Sequence, residues 1–134
     1  MSVLGHGIDL VQCARIAAVL DHHRARFLQR VLTHAERDRA AQFKNPLPFI
    51  SGRWAAKEAI LKMIGTGWRG GIAWTDMEIL PNALGEPRVT LTGETQRRAT
   101  QLGIQRVLLS ITHTDKHAMA SAIGIADASP NLQS

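Results

Sequence analysis

The chain has 134 residues, a formal net charge of +5 and 45% hydrophobic residues, which suits one globular domain able to bury a core. One cysteine excludes an internal disulfide framework, and no apolar run reaches membrane-spanning length. Met1–Leu4 runs straight into GHGIDLV without a long apolar stretch, so the sequence reads as a cytoplasmic protein with no signal peptide.

The positive charge is local. Arg24, Arg26, Arg30, Arg37, Arg39 and Lys44 crowd one stretch against only Glu36 and Asp38. Such a stripe attracts an acidic protein, a polyanion or a phosphate-rich ligand. With three Phe, three Trp and no Tyr, no aromatic-interleaved basic strand exists for stacking single-stranded nucleic acid. No internal repeat or low-complexity tract is present.

In chain order, residues 2–11 read as a first strand, with Gly5 and Gly7 leaving room for another backbone. Asp9 interrupts its apolar run. It is either a cap for the helix expected over 11–20 or a metal ligand, and the pattern leaves both open. Val11, Ala14, Ile16 and Ala18 are the apolar points of that helix, and Arg15 projects near its middle. A second helical piece over 21–32 turns Phe27, Leu28 and Val31 inward and Arg24, Arg26 and Arg30 outward. Adjacent His22 and His23 cannot both face one metal from a helix; they and His34 read as surface. Thr33 with Glu36 forms a capping box that opens a third helix, running to about Phe43.

Residues 48–64 form the longest predicted helix, with Pro48 near its start and Gly65 as a left-handed terminator. Ile50, Trp54, Ala56, Ile60, Leu61, Met63 and Ile64 can bury most of its circumference. Ser51, Glu58 and Lys62 share one narrow stripe. That stripe is either an i,i+4 acid–lysine pair on a solvated face or part of a site. After the glycine-rich connection 68–74, TDMEIL (75–80) and RVTL (88–91) read as a hairpin around the turn 81–87. Thr92 is expected to cap a short helix over 93–102. Strands 105–112 and 117–125 then pair across THTD, and 126–134 is a polar tail. The fold class is α+β, with an antiparallel sheet packed around the long central helix.

Polar residues gather at element ends. Asp9 and Glu58 are a carboxylate pair of the kind that holds Mg²⁺ with open positions for phosphate oxygens. Lys62, one turn from Glu58, can take phosphate charge. His113, between Thr112 and Thr114, can bind phosphate or move a proton. This set favours phosphoryl-type transfer. Walker A, GxGxxG and GxSxG motifs are absent, as is a Cys/His set for zinc. Two alternatives stand beside it: a small basic nucleic-acid-binding module, and a Mg²⁺-dependent pyrophosphate hydrolase.

GIDLV, FISGRWAAKEAILKMIGTG, the DMEIL–LGEP hairpin and LLSITHT together resemble the holo-[acyl-carrier-protein] synthases, small bacterial 4′-phosphopantetheinyl transferases. The likeness covers roughly residues 4–125, and residues 1–125 are expected to form the single transferase domain of that fold. It implies transfer of the 4′-phosphopantetheine arm of coenzyme A to a serine of apo-acyl carrier protein. Adenosine 3′,5′-bisphosphate would leave, with Mg²⁺ required, in support of fatty acid biosynthesis. Asp9 and Glu58 match the family's metal ligands. Lys62 and His113 match phosphate-side positions, and with them form the implied catalytic set. Arg53, Gly65, Gly85, Pro87 and Thr114 match further coenzyme-binding positions, while Arg15 and Arg26 match residues that meet the acidic carrier. His23 stands loosely where a further arginine is common, and His6 and Trp54 occupy positions where other residues are common. Trp54 is expected in the core. The family implies a homotrimer with active sites between subunits, and neither a nucleic-acid nor a membrane partner.

Overall fold

The computed structural model describes residues 1–65 and 70–128. Part of the glycine-rich connection, residues 66–69, and the tail from 129 lie outside the described residues. The order is β1 (Ser2–Gln12), α1 (Cys13–Val31), α2 (His34–Ala40), α3 (Leu47–Ile64), β2 (Met77–Pro81), β3 (Pro87–Leu91), α4 (Gly93–Gln101), β4 (Arg106–His113) and β5 (His117–Ala126). Strands β1, β5 and β4 form an antiparallel sheet in that spatial order, and β2 with β3 forms a separate hairpin. The fold is the expected α+β, with the sheet laid on α3. Among the described residues no helix is long and apolar enough to cross a membrane.

Helix α3 is buried nearly all round: Ile50, Ala55, Ala56, Ala59, Ile60, Leu61, Met63 and Ile64 are all in the core. Gly65 ends it with φ +76°, the left-handed cap its sequence calls for. Small residues let the sheet lie against its backbone. A Cβ on Gly7 would sit 2.0 Å from the Ala59 carbonyl oxygen, and one on Gly5 would sit 2.4 Å from that of Met63. Ala118, Ala120 and Ala122 of β5 face the same helix and are fully buried or nearly so.

Several local expectations are corrected. Asp9 lies inside β1, paired with Ala120, and the residue before α1 is Gln12, so Asp9 is no helix cap. The two helical pieces expected over 11–32 are present within α1, but they meet at His23, where φ −141° and ψ 37° leave the helical region, rather than between 20 and 21. The first piece's buried stripe is Cys13, Ile16 and Leu20, with Ala14 and Ala18 exposed. The third helix stops at Ala40, short of Phe43. Trp74–Asp76 make a 3-10 turn before β2 begins. Thr92 precedes α4 but caps nothing with its side chain. Asp76 instead accepts from Thr95 N–H and hydroxyl, at 3.4 and 3.2 Å. Ser51 is fully buried, in a part of α3 where a Cβ added to the neighbouring Gly52 would stand 3.1 Å from Ile111 of β4.

The Thr33–Glu36 capping box is present, with Thr33 N–H donating to Glu36 Oε1 at 2.9 Å and Glu36 N–H to Thr33 Oγ1 at 3.2 Å. That same carboxylate is fully buried and does more. Lys57 of α3 donates to Glu36 Oε1 and to the Val31 carbonyl, both at 2.6 Å. Ile79 N–H donates to Glu36 Oε2 at 2.9 Å. One ion pair therefore ties the end of α1, α2, α3 and β2 together. Burial pulls the Lys57 ammonium below its usual range, and the Glu36 charge beside it opposes that. Replacing Lys57 by Met leaves a buried carboxylate without its cation, which costs roughly 3–5 kcal/mol. Urea unfolding should show that loss for Lys57→Met, and a large recovery when Glu36→Gln is added.

Candidate active site

Strand β1 and helix α3 come into contact at Gly7 and Ala59, which brings nearby Asp9 and Glu58 to one place. Asp9, two residues beyond Gly7, and Glu58 both line one cleft of about 260 Å³, with Leu10, Val11, Arg15, Ile16, Val19 and Trp54. Two acids 49 positions apart in the sequence thus share one small volume. Lys62 does not pair along the helix with Glu58, as the i,i+4 alternative required. It reaches across to β1, where its Nζ donates to Asp9 Oδ1 at 3.0 Å and to the Ile8 carbonyl at 3.1 Å. The Asp9 side chain is 15% exposed and that of Lys62 is 54% exposed, so this pair sits at the cleft's edge.

Glu58 takes up a proton more readily than an ordinary glutamate. Partial burial is the main cause, the Asp9 charge adds to it, and Lys62 opposes both. Two carboxylates are thus drawn together with one lysine between strand and helix. That donor set suits a hard divalent cation, which takes oxygen ligands and relieves the like-charge repulsion. Arg15 was expected to meet a carrier; its place in the structure is on the wall of this cleft. Trp54 was expected in the core. It is half-buried, stacked on Trp74 at 4.6 Å and Phe27 at 5.7 Å, and it forms the cleft's apolar side. Arg26 is exposed on α1 beyond the kink at His23.

The remaining candidates lie elsewhere. Gly85, φ +84°, is in the β2–β3 turn, and Pro87 opens β3. Asn82 organises that turn: its Oδ1 accepts from Leu84 and Glu86 N–H, both at 2.9 Å. His113 ends β4, exposed, and Thr114 follows in the turn to β5, where its Oγ1 accepts from His117 N–H at 3.2 Å. A wider cavity of about 910 Å³ separates β3 from β4, lined by Pro87, Arg88, Gln96, Thr100, Arg106 and Ile111 among others. Arg53 lies beneath the hairpin, its guanidinium 4.2 Å from the Phe49 ring and its Nε donating to the Ile79 carbonyl at 3.1 Å. Burial lowers its affinity for its proton, while Glu36 opposes that.

Register shows how the two groups relate. Val11, Ala118 and His113 form one row across the sheet, as do Asp9, Ala120 and Ile111. Asp9 and His113 therefore point to the same side but stand two strands apart. Strand spacing and rise put their Cα atoms roughly 12 Å from each other. Within one chain the structure brings together Asp9, Glu58, Lys62 and Arg15, and sets Gly85, Pro87, His113 and Thr114 on the opposite flank of the sheet.

A carboxylate pair at a strand–helix junction, on a sheet wrapped round one buried helix, defines a class. The model of the 4′-phosphopantetheinyl transferase superfamily matches residues 5–122. The chain belongs to that superfamily, among its holo-[acyl-carrier-protein] synthases, and is a transferase of that class. The holo-[acyl-carrier-protein] synthase of Hydrogenovibrio crunogenus is 42% identical over 121 residues, covering 90% of this chain and 95% of the relative. The crystal structure of the Neisseria meningitidis holo-[acyl-carrier-protein] synthase superposes with a TM-score of 0.85 at 30% identity, over 92% of this chain and 99% of that one. The Helicobacter pylori enzyme, solved in complex with coenzyme A, gives 0.79 at 27% identity, over 90% of this chain and 99% of that one.

The electrostatics of Glu58 predict a stability effect. Its proton affinity is higher in the folded chain than in the unfolded one, so its ionised form opposes folding. That penalty is full above the folded-state value and vanishes below the unfolded one. Glu58→Gln, measured without divalent cations, should therefore raise the melting temperature modestly at neutral pH. The gain should disappear as pH falls below the ordinary glutamate range.

Proposed function

We propose that this enzyme transfers the 4′-phosphopantetheine arm of coenzyme A to a serine of apo-acyl carrier protein. The products are holo-acyl carrier protein and adenosine 3′,5′-bisphosphate. The observation that carries this reading is the convergence of Asp9 and Glu58 in one cleft, with Lys62 bridging strand and helix at its edge. The family membership and the coenzyme A complex of the Helicobacter pylori relative support it.

In this reading the serine oxygen bonds to the phosphorus on the pantetheine side. The bond from that phosphorus to the bridging pyrophosphate oxygen breaks, the hydroxyl proton is released, and the bisphosphate departs with the electron pair. Little covalent work falls to the protein; position and charge do the rest. Asp9 and Glu58 would hold Mg²⁺, which when bound supplies positive charge to the pyrophosphate oxygens. Lys62, kept against β1 by Asp9 and the Ile8 carbonyl, meets phosphate charge from the other side. His113, Thr114, Arg53, Gly65 and the Gly85–Pro87 turn hold the coenzyme. Arg15 orients the incoming carrier at the cleft wall, and exposed Arg26 extends that contact along α1.

The separation of Asp9 from His113 across the sheet supports a shared site, completed when the β4 flank of one copy meets the β1 flank of the next. A ring of such contacts closes as the homotrimer proposed here. We assign residues 1–125 to one catalytic domain acting in the cytoplasm, serving fatty acid biosynthesis.

Incubation with apo-acyl carrier protein, coenzyme A and Mg²⁺ should add one phosphopantetheine mass to the carrier. Chelation of the metal or Glu58→Gln should abolish the gain. Wild-type transfer by Glu58→Gln would remove the metal assignment, and no mass gain on any apo-carrier would remove the reading itself. Recognition of an acidic carrier by exposed arginines should also be screened by salt. The Michaelis constant for carrier should rise with ionic strength, and Arg26→Glu should raise it at low salt while leaving that for coenzyme A unchanged.

A further inference from the structure

The side of the sheet turned away from α3 is apolar and uncovered. Ile8 is 50% exposed, Leu10 62%, Leu108 44% and Met119 38%. Register sets this face in three rows: His6–Ile123–Leu108, Ile8–Ser121–Ser110 and Leu10–Met119–Thr112. One ionisable side chain stands among these rows, and it is His6. Its Nε2 lies 3.2 Å from Ser121 Oγ, a hydrogen bond that the neutral ring makes as donor or acceptor. Its neighbours on the face, Ile123, Ile8, Ser121 and Leu108, carry no charge. The other ionisable groups of this face are at its ends. His117 stands opposite Gln12, and Arg106 stands opposite Ile125 with its guanidinium 2.9 Å from Asp127.

We propose that His6 makes self-association through this face sensitive to protons: copies of the chain join over a neutral imidazole and separate when it is charged. The inference rests on the homotrimer reading above and adds a control to it. The occupant is a further copy of the same chain. A chain of net charge +5 repels its copies over most of its surface, but the three central rows are uncharged while His6 is neutral, so copies meet there without that penalty. The coenzyme and carboxylate halves of the site also lie on opposite flanks of this same sheet, so contact across it serves the activity. Neutral imidazole bonded to Ser121 can be buried among Ile8, Leu108 and Ile123 at small cost. Imidazolium in the same place loses its water, and symmetry sets a like charge from each copy near it. An ordinary imidazole changes charge near pH 6.5. If the assembled state excludes the proton, association weakens about tenfold per chain one pH unit below that point.

Sedimentation velocity of the full chain at about pH 7.5 and about pH 5.5 tests this, with circular dichroism confirming the fold at each pH. The wild type should be assembled at the higher pH and dissociate at the lower. His6→Ile should stay assembled at both, His6→Lys should remain separate at both, and His117→Asn should behave as the wild type does. A wild type that stays assembled at the lower pH overturns the proton control and leaves the homotrimer standing. So does His6→Ile dissociating as readily as the wild type. A wild type that is monomeric at both values overturns the homotrimer reading and this inference with it.

Discussion

Contact between the backbone of β1 and the backbone of α3 is the constraint from which the rest follows. Gly5 and Gly7 allow the strand to lie where any Cβ would strike the Met63 and Ala59 carbonyls. That closeness seats the three-stranded sheet on a helix with almost no exposed circumference. It also decides where Asp9 goes. Two residues past Gly7, its carboxylate falls beside the turn of α3 that carries Glu58 and Lys62. A bulkier residue at position 7 would lift the strand away and open the cleft, so fold and site depend on the same small contact.

The chain contains two acid–lysine arrangements on α3, and they are built for opposite purposes. Lys57 and Glu36 are fully buried, and both Glu36 oxygens and the Lys57 ammonium find hydrogen-bond partners in each other and in two further elements, α1 and β2. Such a satisfied pair specifies how the elements meet, and it leaves no capacity for a ligand. Beside it on the same helix, partly buried Glu58 shares an open cleft with Asp9, exposed Lys62 sits at the cleft's edge, and the three carry one more negative than positive charge. The ionised form of Glu58 is held there against burial and the Asp9 charge, a cost that a proton or a bound cation would relieve. Residue types are nearly identical in the two places; burial and partner count separate scaffold from site.

The layout of the sheet extends this division. Its inner face meets α3 through small residues on β1 and β5, with Val107, Leu109 and Ile111 of β4 packed beside them, while its outer face carries Ile8, Leu10, Leu108 and Met119 in the open. The acid pair lies by the β1 edge, whereas the β2–β3 turn and His113 lie by the β4 edge. One copy of the chain therefore carries Asp9 and His113 on the same side of the sheet at opposite edges, and the apolar surface on the other side. The proposed transfer reaction and the proposed proton control both grow out of that geometry.

The sequence by itself determined what local rules govern. The order of elements, the α+β class, the buried central helix with its Gly65 terminator, the β2–β3 hairpin, the Thr33–Glu36 capping box and the need for glycine at 5 and 7 are all legible. Each depends on residues near one another in the chain. Motif likeness also pointed to the family to which the chain proved to belong. Tertiary structure alone decided which partner each charge takes. Lys62 at helical spacing from Glu58 bonds to Asp9 instead; Lys57 and Glu36, 21 residues apart, close the buried knot; Arg15 lines the acid cleft; and Ser51 is fully buried although its stripe looked exposed. Periodicity tells which way a side chain points from its own helix or strand. It carries no information about which other element will arrive there, and an ionic contact is settled by that arrival.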